Sequence, residues 1–373
     1  MKIVILLLSS YLLIPCKAQT IYTLATDNPQ KTSIDSTVHK FVSAMFNDNN
    51  IVGLSIGIYK DDLAFCYNYG TIEKDKRILP TSTTIYEIGS ITKTFTGILL
   101  AQAVLDNKIK FDDDIRIYLK EEYKNLEYNG IPIRVINLAN HTAGLPEDIY
   151  PEIIDKLKNP SMFDIINIYN GDRGLMFLKD LHSVTLETQP GEKRQYSNVG
   201  MIILGNILEN VYGVSYSQLI ENYITVPLEM IKTGIVSFES DTTSYTKGYD
   251  KAGNIMPHIT FQIAGAAGGL KSSIHDMINY LKANITETNK AIKLSHQKTN
   301  GTDENGIGLG WQIRKGFADN KQLWHDGGEP GFSSYCLVIP SKKIGIICLM
   351  NQRGHQAQLY NLSEKIIGSL QKD

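Results

Sequence analysis

Ser90 and Lys93 sit in the segment Tyr86-Glu87-Ile88-Gly89-Ser90-Ile91-Thr92-Lys93-Thr94-Phe95-Thr96-Gly97. A serine hydroxyl is a weak nucleophile until a base takes its proton. Lys93 follows three residues later, one helical turn on and on the same face. A lysine pressed into an apolar wall loses its proton more readily than one in water. Gly89 ends an extended stretch and Ser90 opens a helix, whose N-terminal amides favour developing negative charge. Ile91, Phe95, Ile98 and Leu99 make that helix an apolar, central one. The same spacing recurs at Ser244/Lys247, Ser295/Lys298 and Ser369/Lys372, but in polar, turn-rich or terminal stretches.

Two further segments carry groups that suit the same chemistry. Gln195-Tyr196-Ser197-Asn198 precedes an apolar run from Val199. A phenol beside a protonated lysine is drawn toward phenolate and can move a proton, and an asparagine can orient the lysine or donate to a substrate carbonyl. Tyr123-Lys124-Asn125 has the same pattern in a charged stretch and reads as a solvated loop. Trp324-His325-Asp326-Gly327-Gly328 precedes a terminal hairpin. Glycines at a strand edge admit a substrate backbone, and an amide near Gly328 could complete an oxyanion hole with that of Ser90. His325 could face a substrate carboxylate or the proton network. Lys232-Thr233-Gly234 resembles another catalytic triplet, but Gly234 there reads as a helix C-cap. Gly53-Leu54-Ser55-Ile56-Gly57 spells a nucleophile elbow, yet Ile58 and Tyr59 continue the strand where a helix would be needed.

The surrounding pattern supplies elements to hold these residues. Apolar spacing predicts a helix over residues 33–47, then a strand pair over 52–59 and 63–69, then the helix from Ser90 to about Leu105. Residues 110–235 read as mostly helical, with loops at 140–144 and 189–191. Beyond about 240 strands return, interrupted by a helix after Lys271-Ser272-Ser273 with Ser273 and Asp276 as its capping pair. Residues 306–350 read as three strands, the last two (332–339 and 344–350) as a hairpin, and a helix covers 356–370. Strands at both ends with helices between predict an α+β fold: an antiparallel sheet built from both termini and flanked by helices (about 30–85 and 240–373), with an inserted all-helical subdomain (about 86–239).

The chain has 373 residues, 37 Lys+Arg against 39 Asp+Glu, and 42% hydrophobic residues, which is ordinary globular composition. The near-neutral charge gives no reason to expect nucleic acid as a partner. Residues 1–18 read as a signal peptide: Lys2, an apolar run to Pro15, then Cys16-Lys17-Ala18. Export to the periplasm or the cell exterior is then expected, with lipid attachment through Cys16 the lesser reading and no membrane span after leader removal. Residues 19–373 read as a single catalytic domain. Cys66, Cys336 and Cys348 cannot form a closed disulfide framework. Cys336 and Cys348 flank one turn, but buried thiols are the simpler reading. No metal-ligand spacing occurs among the eight histidines, so neither a metal nor another cofactor is expected.

Taken in order, Ser90-x-x-Lys93, Tyr196-x-Asn198 and His325-x-Gly327 resemble the serine β-lactamase and penicillin-binding-protein superfamily, above all the branch of class C β-lactamases, D-Ala-D-Ala carboxypeptidases and related esterases. Leu138 to Pro146 and Gly265 to Leu270 also look familial, and the likeness runs from about Thr32 to Gly368. The resemblance implies that Ser90 is the acylated nucleophile, that Lys93 and Tyr196 transfer protons, and that Asn198, His325, Gly327 and Gly328 bind substrate. It implies a small-molecule substrate: a β-lactam, a cell-wall D-amino-acid peptide or an ester. The chain departs from the class C pattern at His325, where that subgroup has lysine, and at Asp326, where it has threonine. Histidine there is commoner among peptidase- and esterase-like relatives. Arg353 is a candidate substitute cation for a substrate carboxylate.

Overall fold

The computed structural model describes residues 24–48, 51–148, 161, 163–164, 177, 179–235, 244–260, 265–316 and 319–371. Residues 1–18, read above as a signal peptide, and Cys16 among them, lie outside the described residues.

Helix α1 (Ser33–Asp48) opens on a reciprocal cap. The Asp35 carboxylate accepts from the amides of Lys31 and Thr32, and the Thr32 hydroxyl accepts from the Asp35 amide. Strands β1 (Gly53–Lys60) and β2 (Leu63–Gly70) follow as a hairpin. Its two turn residues, Asp61 (φ 48°) and Asp62 (φ 66°), both take the left-handed conformation that matches strand twist. After β3 (Ile85–Glu87) and a single 3₁₀ turn over Gly89–Ile91 comes α2 (Thr92–Leu105). It is buried on almost every side, as its all-round apolar sequence requires. Then come α3 (Val135–Ala139), α4 (Asn198–Tyr212) and α5 (Tyr216–Ile220). Strand β4 (Lys271–Ser273) pairs antiparallel with β3 and leads into α6 (Ile274–Thr286), whose first turn is capped by the Ser273 hydroxyl on the Asp276 amide at 3.2 Å. Helix α7 (Lys290–Ser295), strands β5 (Asn300–Gly301), β6 (Gly306–Ile307), β7 (Gln312–Lys315), β8 (Lys321–Glu329), β9 (Phe332–Ile339) and β10 (Ile344–Met350), and helix α8 (Gln356–Leu370) complete the chain.

The main sheet has eight antiparallel strands in the order β2-β1-β10-β9-β8-β7-β6-β5. The N-terminal hairpin therefore joins the C-terminal strands directly, with Leu54 opposite Met350 and Ile58 opposite Ile346. On one face Val38, Val42, Leu359 and Ile366 from α1 and α8 pack against Leu54, Ile56, Leu337 and Cys348. On the other, α6, α2 and the helical region form a second core that includes Cys336. The α+β expectation, with a sheet built from both chain ends, holds.

Several local expectations give way. The expectation that residues 110–235 are mostly helical falls partly on 149–160, 162, 165–176 and 178, which lie outside the described residues; the described part contains, beside its helices, a 3₁₀ turn at Ile115–Tyr118, a two-residue strand pair at 127–132 and a 3₁₀ turn at Leu181–Ser183, with α4 its one long helix. Polar side chains hold these loops in place of helical hydrogen bonds. Asn125 Nδ2 donates to the carbonyls of Leu181 and Val184, both at 2.8 Å, and Tyr123 is buried, so Tyr123-Lys124-Asn125 is not a solvated loop. Residues 306–350 hold five strands, not three, because Gly310 (φ 75°) turns the chain between β6 and β7. Gly234 does not cap a helix: it pairs with Lys271 as a β-bridge, while Glu229 (φ 56°) takes the left-handed position before it. Cys336 and Cys348 are both free; Cys348 lies opposite Tyr335, one step out of register with Cys336, so the thiols enter opposite cores. Ser55 is fully buried mid-strand, bonded to Asn68 Oδ1 at 2.7 Å and to the Tyr86 hydroxyl at 2.9 Å.

Gly97 shows how tightly α2 is held. A Cβ at that position would overlap the Leu309 carbonyl oxygen, which is backbone and cannot swing aside. Gly97→Ala should lower stability by about 1–3 kcal/mol, read as a lower urea midpoint at unchanged slope.

Candidate active site

The site begins at the turn between β3 and α2. Gly89 adopts φ 53°, which a glycine accepts without strain, and a Cβ there would stand 2.8 Å from the amide nitrogen of Gly328. The absence of a side chain thus brings Gly327-Gly328 of β8 against the residue preceding Ser90. Ser90 lies in the first turn, partly exposed, with its hydroxyl toward Lys93.

Lys93 is fully buried. Its Nζ lies 3.0 Å from Ser90 Oγ, 2.7 Å from Asn198 Oδ1 and 2.6 Å from the Ala267 carbonyl. Asn198 Nδ2 donates to Asp148 Oδ1 at 3.0 Å, and this settles which amide atom faces the lysine. Two of the three partners are carbonyl oxygens, which only accept. A neutral amine would give its two hydrogens to them and aim its lone pair at Ser90 Oγ. Burial pushes the Lys93 amine down to about 7, against the pull of Glu329, Asp148, Glu147 and Asp326. A substantial fraction is therefore neutral at physiological pH. Acylation of Ser90 should accelerate as pH rises through about 7 and level off above it, a profile that stopped-flow measurement of kcat/KM against pH would read.

Tyr196 Oη lies 2.6 Å from Ser90 Oγ. Its ring sits 4.7 Å from Lys93 Nζ on one contact and 4.7 Å from the His141 ring on another. The sequence suggests a phenol drawn toward phenolate, but the balance runs the other way. Burial is the largest influence and raises it, the Ser90 hydrogen bond lowers it, and Asp326, Glu147 and Glu329 raise it further. Tyr196 is thus a protonated donor at neutral pH. The Ser197 hydroxyl caps α4 by accepting from the Gly200 amide at 3.0 Å, and the Glu147 carbonyl receives the Asn198 amide at 2.8 Å, so the start of α4 fixes both Tyr196 and Asn198.

His325 is buried on β8 opposite Cys336, with Nδ1 2.6 Å from the Asp326 carbonyl oxygen and Nε2 without a partner among the described residues. Burial lowers it to about 4; Asp326 opposes that shift and the Lys93 charge adds to it. Gly327 packs on the Ile88 carbonyl, which also receives the Ser334 hydroxyl at 2.8 Å. Gly328 is exposed, with the Gln356 amide over it. Arg353, beyond β10, is half-buried, and its charge acts on Glu329, whose carboxyl is held well above its usual range by burial and by Glu87.

The geometry thus brings Ser90, Lys93, Tyr196 and Asn198 into one hydrogen-bonded group, and sets Gly327 and Gly328 beside Gly89. It adds three residues that the sequence reading did not single out. Ala267 supplies a carbonyl, Asp148 anchors Asn198, and His141 backs Tyr196. His141 takes φ 59°, accepts from the Ser197 amide through Nδ1 at 3.3 Å, and is kept neutral by burial. Among the described residues no group of three or more His, Cys, Asp or Glu is placed to hold a metal ion, and no helix is long and apolar enough to cross a membrane. Lys232-Thr233-Gly234 takes no part in the hydrogen bonding of this group: the Thr233 hydroxyl donates to Asp276 Oδ2 at 2.8 Å at the start of α6.

Comparison with known proteins gives the family of the chain. The sequence profile of the beta-lactamase family matches residues 34–364. A beta-lactamase of Pseudomonas fluorescens is 25% identical over 375 residues, covering 91% of this chain and 99% of its own length. A beta-lactamase of Providencia stuartii is 26% identical, covering 84% of this chain and 86% of its own. Protein flp of Staphylococcus aureus strain N315 is 26% identical over 84% of this chain, which spans only 62% of that protein. The octameric penicillin-binding protein homologue from Pyrococcus abyssi superposes with a TM-score of 0.76 at 27% identity, over 91% of this chain and 77% of that one. The chain belongs to the beta-lactamase family, within the superfamily of serine β-lactamases and penicillin-binding proteins.

Proposed function

We propose that the protein is an exported serine hydrolase, with residues 1–18 as a cleaved leader and the remainder as one catalytic unit, that forms an acyl-enzyme at Ser90. The observation that carries this reading is the placement of Ser90 Oγ within hydrogen-bond reach of both Lys93 Nζ and Tyr196 Oη. Neutral Lys93 takes the Ser90 proton as Oγ attacks a substrate carbonyl. The amides of Ser90 and Gly328 receive the oxyanion. Collapse of the tetrahedral species breaks the bond to the leaving group, which takes its proton from the Tyr196 hydroxyl; the Lys93 ammonium then returns a proton to Tyr196. Water attacks the ester with Lys93 again as base, and Ser90 leaves with a proton restored. Asn198 and Ala267 hold Lys93 in place throughout, and His325, Gly327 and Gly328 line the substrate side of the cleft.

The substrates that fit the relatives' names are β-lactams or cell-wall D-amino-acid peptides. A second reading, an esterase, transacylase, D-Ala-D-Ala carboxypeptidase or D-aminopeptidase on the same scaffold, is favoured by a neutral histidine at residue 325. The test is intact-mass spectrometry of the folded protein after exposure to a penicillin, a cephalosporin and a p-nitrophenyl ester, with turnover followed in parallel. One adduct, mapped to the peptide bearing Ser90, is expected. A folded protein that acquires no adduct from any of them overturns the proposal. A stoichiometric adduct that never turns over would instead make the protein a penicillin-binding sensor.

A further inference from the structure

The segment that delivers Tyr196, from Glu187 to Ser197, lies in no helix or strand. The loop after α3 receives its amides instead. The Glu187 amide donates to the Gly144 carbonyl at 2.8 Å, the Gly191 amide to the Thr142 carbonyl at 2.7 Å and the Gln195 amide to the His141 carbonyl at 2.7 Å. The Ser197 amide donates to Nδ1 of the His141 ring at 3.3 Å. The two amides that flank Tyr196 therefore both end on one residue. The ring of that residue also lies against the Tyr196 ring, with centroids 4.7 Å apart and planes inclined at 43°.

His141 occupies this position against two unfavourable features. Its φ of 59° is left-handed, which costs any residue that carries a Cβ. Because Nδ1 accepts, Nε2 carries the ring hydrogen, and this buried atom has no partner among the described residues. A strained backbone and an unsatisfied donor persist only where the surroundings impose them, and they gather at working sites. Burial holds the ring well below its usual range. The charges of Lys93 on α2, of His325 on β8 and of Arg194 in the loop before Tyr196 push the same way. The ring thus keeps one tautomer, and its bond to the Ser197 amide, while Lys93 titrates.

Resting on the acyl-enzyme reading above, we propose that His141 is a positioning residue for the proton donor: it fixes Tyr196 Oη beside Ser90 Oγ, 2.6 Å away, so that the phenol can protonate the leaving group. In that step the carbonyl carbon's bond to the leaving atom breaks and its electron pair stays with that atom. The Tyr196 proton moves to the same atom, and the Lys93 ammonium restores the phenol. A leaving group that departs as a stable anion does not need this proton, whereas an alkoxide or an amine does. His141 therefore sets how poor a leaving group the site can expel, without touching the substrate itself.

The test compares p-nitrophenyl acetate with benzyl acetate on the purified full chain. The two esters share an acyl group and differ in the leaving group, and kcat/KM reports acylation apart from their common deacylation. His141→Ala should cut kcat/KM for the benzyl ester by about tenfold or more and raise the p-nitrophenyl-to-benzyl ratio by about fivefold or more. In a Tyr196→Phe background the same change should cost less than about twofold further on the benzyl ester, because the donor it serves is already gone. His141→Asn keeps an acceptor for the Ser197 amide and tolerates left-handed backbone. It should shift the ratio the same way by a smaller factor, about twofold or more, and it is the variant to read if the alanine protein does not fold. Equal losses on both esters, a full-sized loss in the Tyr196→Phe background, or no loss in a folded variant overturns the inference while Ser90 is still acetylated by the p-nitrophenyl ester. If the unmodified chain gives no acetyl adduct at Ser90, the parent reading falls and this one with it.

Discussion

Ser90→Ala should abolish covalent labelling and lower turnover by about five to six powers of ten, the loss expected when the group that forms the covalent intermediate is removed. The hydroxyl is a point of convergence: Lys93 and Tyr196 both direct hydrogen bonds to it, at 3.0 and 2.6 Å. Neither neighbour can substitute for it, because the amine is committed to Asn198 and Ala267 and the phenol is held protonated. Ser55→Ala is the matched control. It removes a buried hydroxyl bonded to Asn68 and Tyr86 and should lower stability by about 1 kcal/mol while leaving labelling intact. Labelling that survives the first change and disappears with the second would place the nucleophile elsewhere.

Lys93→Met should lower the acylation rate by about 10²–10⁴-fold, the worth of a positioned base, and should remove the rise in rate through pH 7. A stability measurement separates this from a merely structural effect. The folded state holds the Lys93 amine at about 7, against 10.5 for an unhindered lysine. Between those values the unfolded chain binds more protons than the folded one, so this residue makes stability rise with pH across that window. Below about pH 7 its unfavourable contribution is fully present; above about 10.5 it is gone. The methionine variant should lose that slope, seen as a smaller difference in denaturant midpoint between pH 7 and pH 10 than in the parent. A variant that keeps both the rate profile and the slope would mean that another group titrates.

Much of the site was legible because its chemistry is local. Gly89, Ser90 and Lys93 lie within five residues, and a helix start after a glycine can be read from order alone. Tyr196 and Asn198 share the start of α4, and Gly327-Gly328 announces a strand open to close approach. The residues left unread act through atoms that every amino acid has, or through distant partners. Ala267 contributes only a carbonyl. Asp148 matters because Asn198, fifty positions on, donates to it. His141 lies in a segment that looks familial, but no role for it could be read until its ring lies on that of Tyr196. The sheet and its flanking helices followed from period and turns, including the hairpin of β9 and β10. The short strands β5, β6 and β7 did not, since two to four residues carry too little periodicity to register. Apolar residues between 110 and 133 suggested helices because burial looks the same in a loop anchored by Asn125 as in a helical face.

The pairing of β1 with β10 has a consequence for biogenesis. Leu54 and Met350 are neighbours in the sheet yet lie near opposite ends of the chain. The middle of the sheet cannot close until the chain has been made as far as β10, and contacts of such long sequence separation form slowly. Until then β1 and β9 each present an unsatisfied edge, and β8, which carries His325 and both glycines, has no settled place beside Ser90. The hydrogen-bonded group around Ser90 therefore has its sheet-edge wall only after β10 has been made and has paired.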